Sequence, residues 1–305
     1  MDFYFGLLQT IGVHTLLGLS AYVVLQTGQV TMAQAAFFGI GAYTASMMTT
    51  VVGLHILPAV LIAAAFTGVV AALTGFPALR FKGLMLVVAT TVFGEFIRMF
   101  FFNFKYQVTR ADVTVGPVGA EGFRQIRWFL ENGWLTGEVT AFIWMFVIAV
   151  MLTLWWMDRS RIGTVLRAVG EDETAAQSVG INLTAVKVSA FAIGGVIAGI
   201  GGALYAHYTT HIEHSQFNVL LATFAIAYPI LGGLSGVMGT LFAVLLIQGV
   251  IVQGLPRLIG DDLRNLLFGP IIVLAMILRP GGLLDARSAQ LIRNLFRGRG
   301  ARADA

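Results

Sequence analysis

Val188-Ser-Ala-Phe-Ala-Ile-Gly-Gly-Val-Ile-Ala-Gly-Ile-Gly-Gly-Ala-Leu-Tyr-Ala-His-Tyr208 runs for 21 residues without an Asp, Glu, Lys or Arg. As a helix it would measure roughly 31 Å at about 1.5 Å per residue, matching a hydrocarbon core of about 30 Å. Gly195 and Gly199 stand four apart, as do Gly194, Ala198 and Gly202. Small residues at that spacing let helix backbones approach closely, the packing mode favoured where lipid supplies no hydrophobic drive. The segment reads as a packed membrane span, and the rest of the chain follows from it.

Outside this segment the composition is of the same kind. The chain has 305 residues, 57% hydrophobic and 11% charged, with a mean hydropathy of +0.84. Those values exclude a soluble globular chain and point to a polytopic membrane protein. Nine apolar segments lie near 3–25, 30–52, 58–75, 83–103, 138–157, 188–208, 218–235, 239–256 and 265–279. The runs are continuously apolar rather than alternating, so helices and not a barrel satisfy the backbone in lipid. Gly28, Gly39, Gly41 and several polar groups make the second segment read as broken or re-entrant, which would leave eight spans. The expected fold is all-α, a transmembrane helical bundle of eight or nine spans over residues 1–284.

Charge sets the expected orientation. Arg80 and Lys82, then Arg159, Arg161, Arg167 and Lys187, then Arg287, Arg293, Arg297, Arg299 and Arg302 fall on one side if nine segments alternate, and by the positive-inside rule that side is the cytoplasm. The external loop 104–137 holds Lys105, Arg110, Arg124 and Arg127 diluted by acids, and the 209–217 turn has no Lys or Arg. The 285–305 tail reads as an Arg-rich, disordered segment on the cytoplasmic membrane surface. The N-terminus lacks a basic n-region, so the first segment reads as a retained span. Cysteine is absent, which excludes disulfides and thiolate metal sites. The sequence pI near 9.6 is explained by cytoplasmic Arg and anionic lipid, without nucleic acid.

The polar interruption 158–182 carries the functional expectation. It reads as a short amphipathic helix between two spans, ordered and charge-patterned enough for something outside the membrane to dock on it. The plainer reading is an interfacial helix that holds topology through its arginines. No Gly-Lys pair occurs, so the phosphate-cradling G-x-x-x-x-G-K-[ST] motif is absent, and ATP, if it powers this protein, binds to another chain.

Other chemistry-bearing residues are few. Glu95 lies inside an apolar run with Arg98 three residues on, so the two share a helix face and can pair. Pairing and snorkelling reduce a mid-bilayer charge cost on the order of 3 kcal/mol. The alternative makes Glu95 the proton or cation relay of an ion-coupled carrier. His207, His211 and His214, with Glu213, have the spacing of a metal site or, more remotely, an intramembrane hydrolase, against the plainer reading of interfacial polar residues. Leu231-Gly-Gly-Leu-Ser-Gly-Val-Met-Gly239 reads as a turn or helix break.

Gly28-Gln-Val-Thr-Met-Ala-Gln-Ala-Ala-Phe-Phe-Gly-Ile-Gly-Ala-Tyr-Thr44, Thr90-Thr-Val-Phe-Gly-Glu-Phe-Ile-Arg98, Ser160-Arg-Ile-Gly163, Arg167-Ala168, Glu171-Asp-Glu173, Ala176, Gly180-Ile-Asn182, Lys187, Gly202-Ala-Leu-Tyr205, Leu231-Gly-Gly-Leu234 and Arg279-Pro-Gly-Gly-Leu283 jointly resemble the permease subunits of branched-chain amino acid ABC importers. They are closer to the LivM type than to its LivH-type partner, and the resemblance runs from about 18 to 284. Ala33 stands where the family has Gly, Thr164 and Gly170 where it has basic residues, and Gly116–Phe123 where it has a shorter loop.

What the resemblance implies is a bacterial inner-membrane heteromer. It would contain this chain, a second LivH-like permease, two cytoplasmic ATPases that bind ATP and Mg, and a periplasmic solute-binding protein. No cofactor is expected on this chain. A coupling helix at about 159–182, with Arg161, Gly163, Arg167, Ala168, Glu171, Asp172, Glu173, Ala176, Gly180 and Ile181, would pass ATPase motion to the spans. The solute path is expected along the second segment, at Phe37, Gly39, Gly41, Tyr43 and Thr44, with an unwound backbone. The solute is expected to be a branched-chain or related hydrophobic amino acid, with urea or a short amide as the alternative.

Overall fold

A computed structural model describes residues 2–252, apart from Ala111, Asp112 and Ser235. The helices are α1 Asp2–Leu25, α2 Gln34–Met47, α3 Ile56–Ala78, α4 Leu84–Asn103, α5 Trp128–Glu131, α6 Thr136–Arg159, α7 Arg161–Glu171, α8 Glu173–Ser178, α9 Leu183–Thr209, α10 Val219–Gly232 and α11 Val237–Val244. Three short strands, β1 Val108–Arg110, β2 Val113–Pro117 and β3 Phe123–Arg124, pair antiparallel in chain order. Among the described residues seven helices are long and apolar enough to cross a bilayer, with a shorter apolar helix over Val237–Gly249. The protein is therefore an all-α polytopic membrane protein. The ninth segment and the 285–305 tail lie outside the described residues.

The quoted segment becomes α9, and α9 is the centre of the bundle, packed against α1, α2 and α3. A Cβ on Gly199 would sit 2.9 Å from the Thr67 side chain of α3, one on Gly41 of α2 would sit 2.5 Å from Gly199 Cα, and one on Gly202 would collide with the Phe38 carbonyl. The spacing of small residues is thus a packing device on both sides of one helix. Next to it α1 is sealed, and Leu16, Leu17, Leu19 and Val23 are wholly buried.

Two ends are distinguished by their connections. At the short-helix end lie α7, α8, the α1–α2 connection and the α3–α4 turn. At the hairpin end, residues 104–137 are not the plain loop expected from the sequence. Phe123 and Ile212 exchange backbone hydrogen bonds of 2.8 and 3.0 Å, which ties β3 to the chain leaving α9. Gly119 (φ +65°) and Gly122 (φ +76°) let the chain reverse between β2 and β3, and at these angles a Cβ would run into Phe102 O and Ile212 O.

The expected break in the second segment is corrected. α2 is continuous through Gly39 and Gly41 and then widens into a π-helical turn, Met48–Val52, that ends at Gly53 (φ +81°). The glycines serve contact, with Gly199 and with Phe217 (Cγ 2.9 Å from a Gly39 Cβ), and not chain reversal. The polar groups return hydrogen bonds to their own helix, Ser46 to Ala42 O at 2.7 Å and Thr50 to Ser46 O at 2.6 Å.

Overpacking a site whose neighbour is backbone costs about 1–3 kcal/mol. Gly202→Ala is expected to lower the thermal midpoint of the purified protein by several degrees, whereas Gly6→Ala, with nothing within 4 Å, is expected to leave it unchanged or raise it. Circular dichroism melts of both variants check this.

Candidate functional site

The site is the short-helix end, and its local structure begins with three caps. Ser160 caps α7 by accepting from Ile162 N, Asp172 caps α8 by accepting from Thr174 N and Ala175 N, and Asn182 caps α9 by accepting from Ala185 N. The cap at Asp172 corrects the single helix expected over 159–182. Asp172 takes an extended backbone (φ −152°, ψ 106°) so that its carboxylate reaches the next two amides at 2.8 and 3.0 Å. The acids of Glu171-Asp-Glu173 oppose the dipole at the end of α7 and suit the start of α8, so the chain breaks between them. Gly180 (φ +87°) closes α8, and Ile181 N bonds back to Ala176 O.

Asp158, at the end of α6, anchors α7 to α1. Its carboxylate accepts from Tyr22 Oη at 2.7 Å and Gln26 Nε2 at 2.8 Å, and its carbonyl accepts from Arg167 Nη2 at 2.9 Å. Gly163 is pressed onto the same turn, where a Cβ would lie 2.5 Å from Met157 O and 2.7 Å from Asp158 Cα. Gly170 meets Gly28 backbone to backbone, since a Cβ on Gly28 would lie 3.2 Å from Gly170 O and one on Gly170 would strike Gln26 O. Leu166, Val169 and Ala176 are buried beneath the helices.

Glu173 ties α8 to the bundle. It accepts from Lys187 Nζ of α9 at 2.6 Å and faces Lys82 Nζ of the α3–α4 turn at 3.6 Å. The Lys187 hydrogen bond holds the Glu173 carboxyl below its ordinary range. What remains outward is a surface of Arg161, Ile162 (54% exposed), Thr164, Glu171 and Val179 (76% exposed), with Val165, Arg167 and Ala168 half-buried at its edge. The arrangement offers a rigidly seated, mixed apolar and polar face of two short helices.

The other expected residues fall elsewhere. Glu95 and Arg98 pair on α4, Nε to Oε2 at 2.7 Å. Phe37 is fully buried against Phe93, and Tyr43 stacks on Phe101 at 3.9 Å. Tyr43 and Thr44 line an apolar cleft of about 430 Å³ between α2, α3 and α4, with Ile62, Phe66 and Phe100. Phe37, Gly39 and Gly41 do not line it.

The histidines do not converge. α9 ends at Thr209 and Thr210 turns left-handed (φ +60°), which takes His211 off the face of His207. His207 Nε2 pairs with Thr49 Oγ1 at 2.9 Å, and His211 Nε2 pairs with Glu213 at 2.9 Å. No cluster of three metal-ligating side chains is found among the described residues. The His211 contact holds the Glu213 carboxyl below its ordinary range.

Sequence reasoning missed the Asp158 node and the Gly28–Gly170 contact. The signal for the first was an acid at the end of an apolar run, at the head of the interruption, with Tyr22 and Gln26 one turn apart on the first span.

The fold defines a multi-pass membrane permease that carries two short, firmly seated helices at one end. The chain belongs to the family described as the permease component of the branched-chain amino acid transport system, whose pattern matches residues 3–276. It is 30% identical over 306 aligned positions to the high-affinity branched-chain amino acid transport system permease protein LivM of Salmonella typhimurium, covering 92% of this chain and 68% of that one. The Escherichia coli LivM gives the same figures. The galactofuranose transporter permease protein YtfT of Escherichia coli is 28% identical over 79% of this chain and 67% of its own length. No solved structure matches.

Asp158→Ala is expected to raise amide exchange in 161–171 about tenfold or more, since each lost charge-assisted hydrogen bond is worth about 1.5–3 kcal/mol. Because the Glu173 carboxyl titrates below its unfolded value, its hold on α8 is complete above about pH 4.3 and is lost as pH falls through the folded value. Exchange in 173–178 followed by mass spectrometry should rise on acidification, and Glu173→Gln should remove that step.

Proposed function

We propose that this chain is a membrane subunit of an ATP-binding-cassette importer that carries branched-chain or related hydrophobic amino acids. The single observation behind this reading is the seated α7–α8 platform on a chain that has no nucleotide-binding motif of its own. The extent of the likeness to LivM supports the solute class over urea or a short amide. On this reading ATP and Mg are bound by two separate ATPases, a second LivH-like permease completes the pore, and a periplasmic binding protein delivers the solute. The platform and the C-terminus then face the cytoplasm of a bacterial inner membrane.

The roles divide along the geometry. Arg161, Ile162, Glu171 and the exposed side of α8 would touch the ATPase. Gly163, Arg167, Asp172, Glu173 and Ala176 would hold the platform to α1, α6 and α9, so that closure of the ATPases moves a stiff element. A role beside the solute path is proposed on α2 only for Tyr43 and Thr44, near a mouth at the hairpin end, since packing accounts for Phe37, Gly39 and Gly41. Glu95, held by Arg98, contributes to span stability and not to an ion relay.

The test is purification from the native membrane with identification of co-purifying chains, followed by uptake in proteoliposomes. Recovery of a Walker-motif ATPase and a second multi-span permease, with uptake that requires ATP, is the expected outcome. A chain that purifies alone and moves solute down an ion gradient overturns the reading. In the same preparation Ile162→Glu is expected to cut ATPase recovery about tenfold without changing the thermal midpoint.

A further inference from the structure

Among the described spans α4 is the least enclosed, and of its residues only Leu86, Thr90 and Phe101 are buried. Ile97 and Phe101 face the apolar cleft beside α2. On the other side of the helix Met85, Val88, Val92, Glu95, Met99 and Phe102 follow one another at spacings of three and four, and the five apolar members are exposed. Alternating spacings of three and four make the seam along which two helices pack.

Glu95 decides what covers this seam. It lies roughly 16 Å from Leu84 and 12 Å from Asn103 at about 1.5 Å per residue, close to the middle of the span. Arg98 is only about 8 Å of helix from that end and can carry its charge toward the headgroups, which the shorter Glu95 side chain cannot do. The Glu95 side chain is nevertheless 40% exposed. Intramembrane carboxylates turn to protein or to a water-filled cavity, because acyl chains offer neither donor nor acceptor.

The ion pair is also half used. Arg98 Nε donates to Glu95 Oε2 at 2.7 Å, and neither Glu95 Oε1 nor the two Arg98 Nη atoms make a further hydrogen bond among the described residues. A guanidinium can donate five N–H groups, and a carboxylate can accept at both oxygens. The seam therefore presents one acceptor and a fork of donors in the middle of an apolar stripe.

We infer that this seam of α4 is the face against which the second permease packs, and that a polar side chain of that subunit completes the Glu95–Arg98 pair at mid-membrane. The inference rests on the importer reading. Of the partners in that reading, the ATPases and the binding protein lie outside the bilayer, and the second permease alone brings spans to this depth. A single polar position in an otherwise apolar seam also fixes the register of the two helices, which gives the pair a reason to lie where it does.

In the native membrane the photoreactive residue benzoylphenylalanine replaces Val92 or Met99 on the seam, or Ile148 on the exposed side of α6 as a reference. On irradiation Val92 and Met99 are expected to give adducts with the second permease at least tenfold more abundant than Ile148 does. Adducts no more abundant than at Ile148 overturn the inference. So do adducts whose mass identifies a second copy of this chain, or whose linked peptide lies in residues 253–305 of the same chain.

In parallel, Glu95→Leu combined with Arg98→Leu removes both charges. It is expected to cut co-purification of the second permease about tenfold while the chain keeps its helical circular dichroism. Undiminished recovery means that the pair meets nothing polar, and overturns the inference. Failure of the importer reading shows separately, in the unsubstituted membrane, where no second multi-span permease is then recovered at all.

Discussion

The closeness of α9 to α2 and α3 is the constraint on which the bundle depends. In lipid there is no hydrophobic gain from bringing two apolar helices together, so attraction has to come from dispersion at short range. Gly41 against Gly199, Gly202 against the Phe38 carbonyl and Gly195 against Ala71 remove the side chains that would hold the backbones apart. Once α9 is fixed at that range, α1 is enclosed beside it. Among the described residues the spans nearer the outside, α4 above all, keep exposed apolar faces such as Leu84, Val88, Val92 and Phe96.

The same economy of side chains governs the short-helix end. α7 is held by Arg167, which donates to the carbonyl of Asp158 while the Asp158 carboxylate is bound by Tyr22 and Gln26, and by a backbone contact between Gly170 and Gly28. α8 is held by one acid, Glu173, placed between Lys82 and Lys187. These anchors come from α1, α6, α9 and the α3–α4 turn, so a displacement of the platform is felt by four parts of the bundle at once.

Much of this was legible in the sequence, and the reasons are specific. Long uncharged runs announce spans because lipid tolerates few alternatives, and the small-residue spacing of 194–202 announced the α9 contact. The Glu95–Arg98 pair followed from helical spacing. Where reading failed, a residue type had two uses. Gly39 and Gly41 suggested an unwound backbone, although glycine also serves helix contact, and only the partner at Gly199 tells the two apart. Asp172 looked like one more charge on an amphipathic helix, while its short side chain in fact breaks that helix by capping the next. The strand pairing of 108–124 is too short to leave a period-2 signature. His207 and His211 share a helical spacing, but the helix ends between them.

The platform keeps its seat and its face on different residues. Gly163 and Gly170 abut backbone that leaves no room for a side chain and Leu166 and Val169 are buried, while Arg161, Ile162, Thr164 and Glu171 are exposed, Thr164 donating back to Ser160 O of its own turn. Inheritance can therefore rewrite the outward residues, Thr164 among them, without disturbing how the platform is mounted. A lineage of such chains could vary that outward surface while the membrane-embedded half stayed the same.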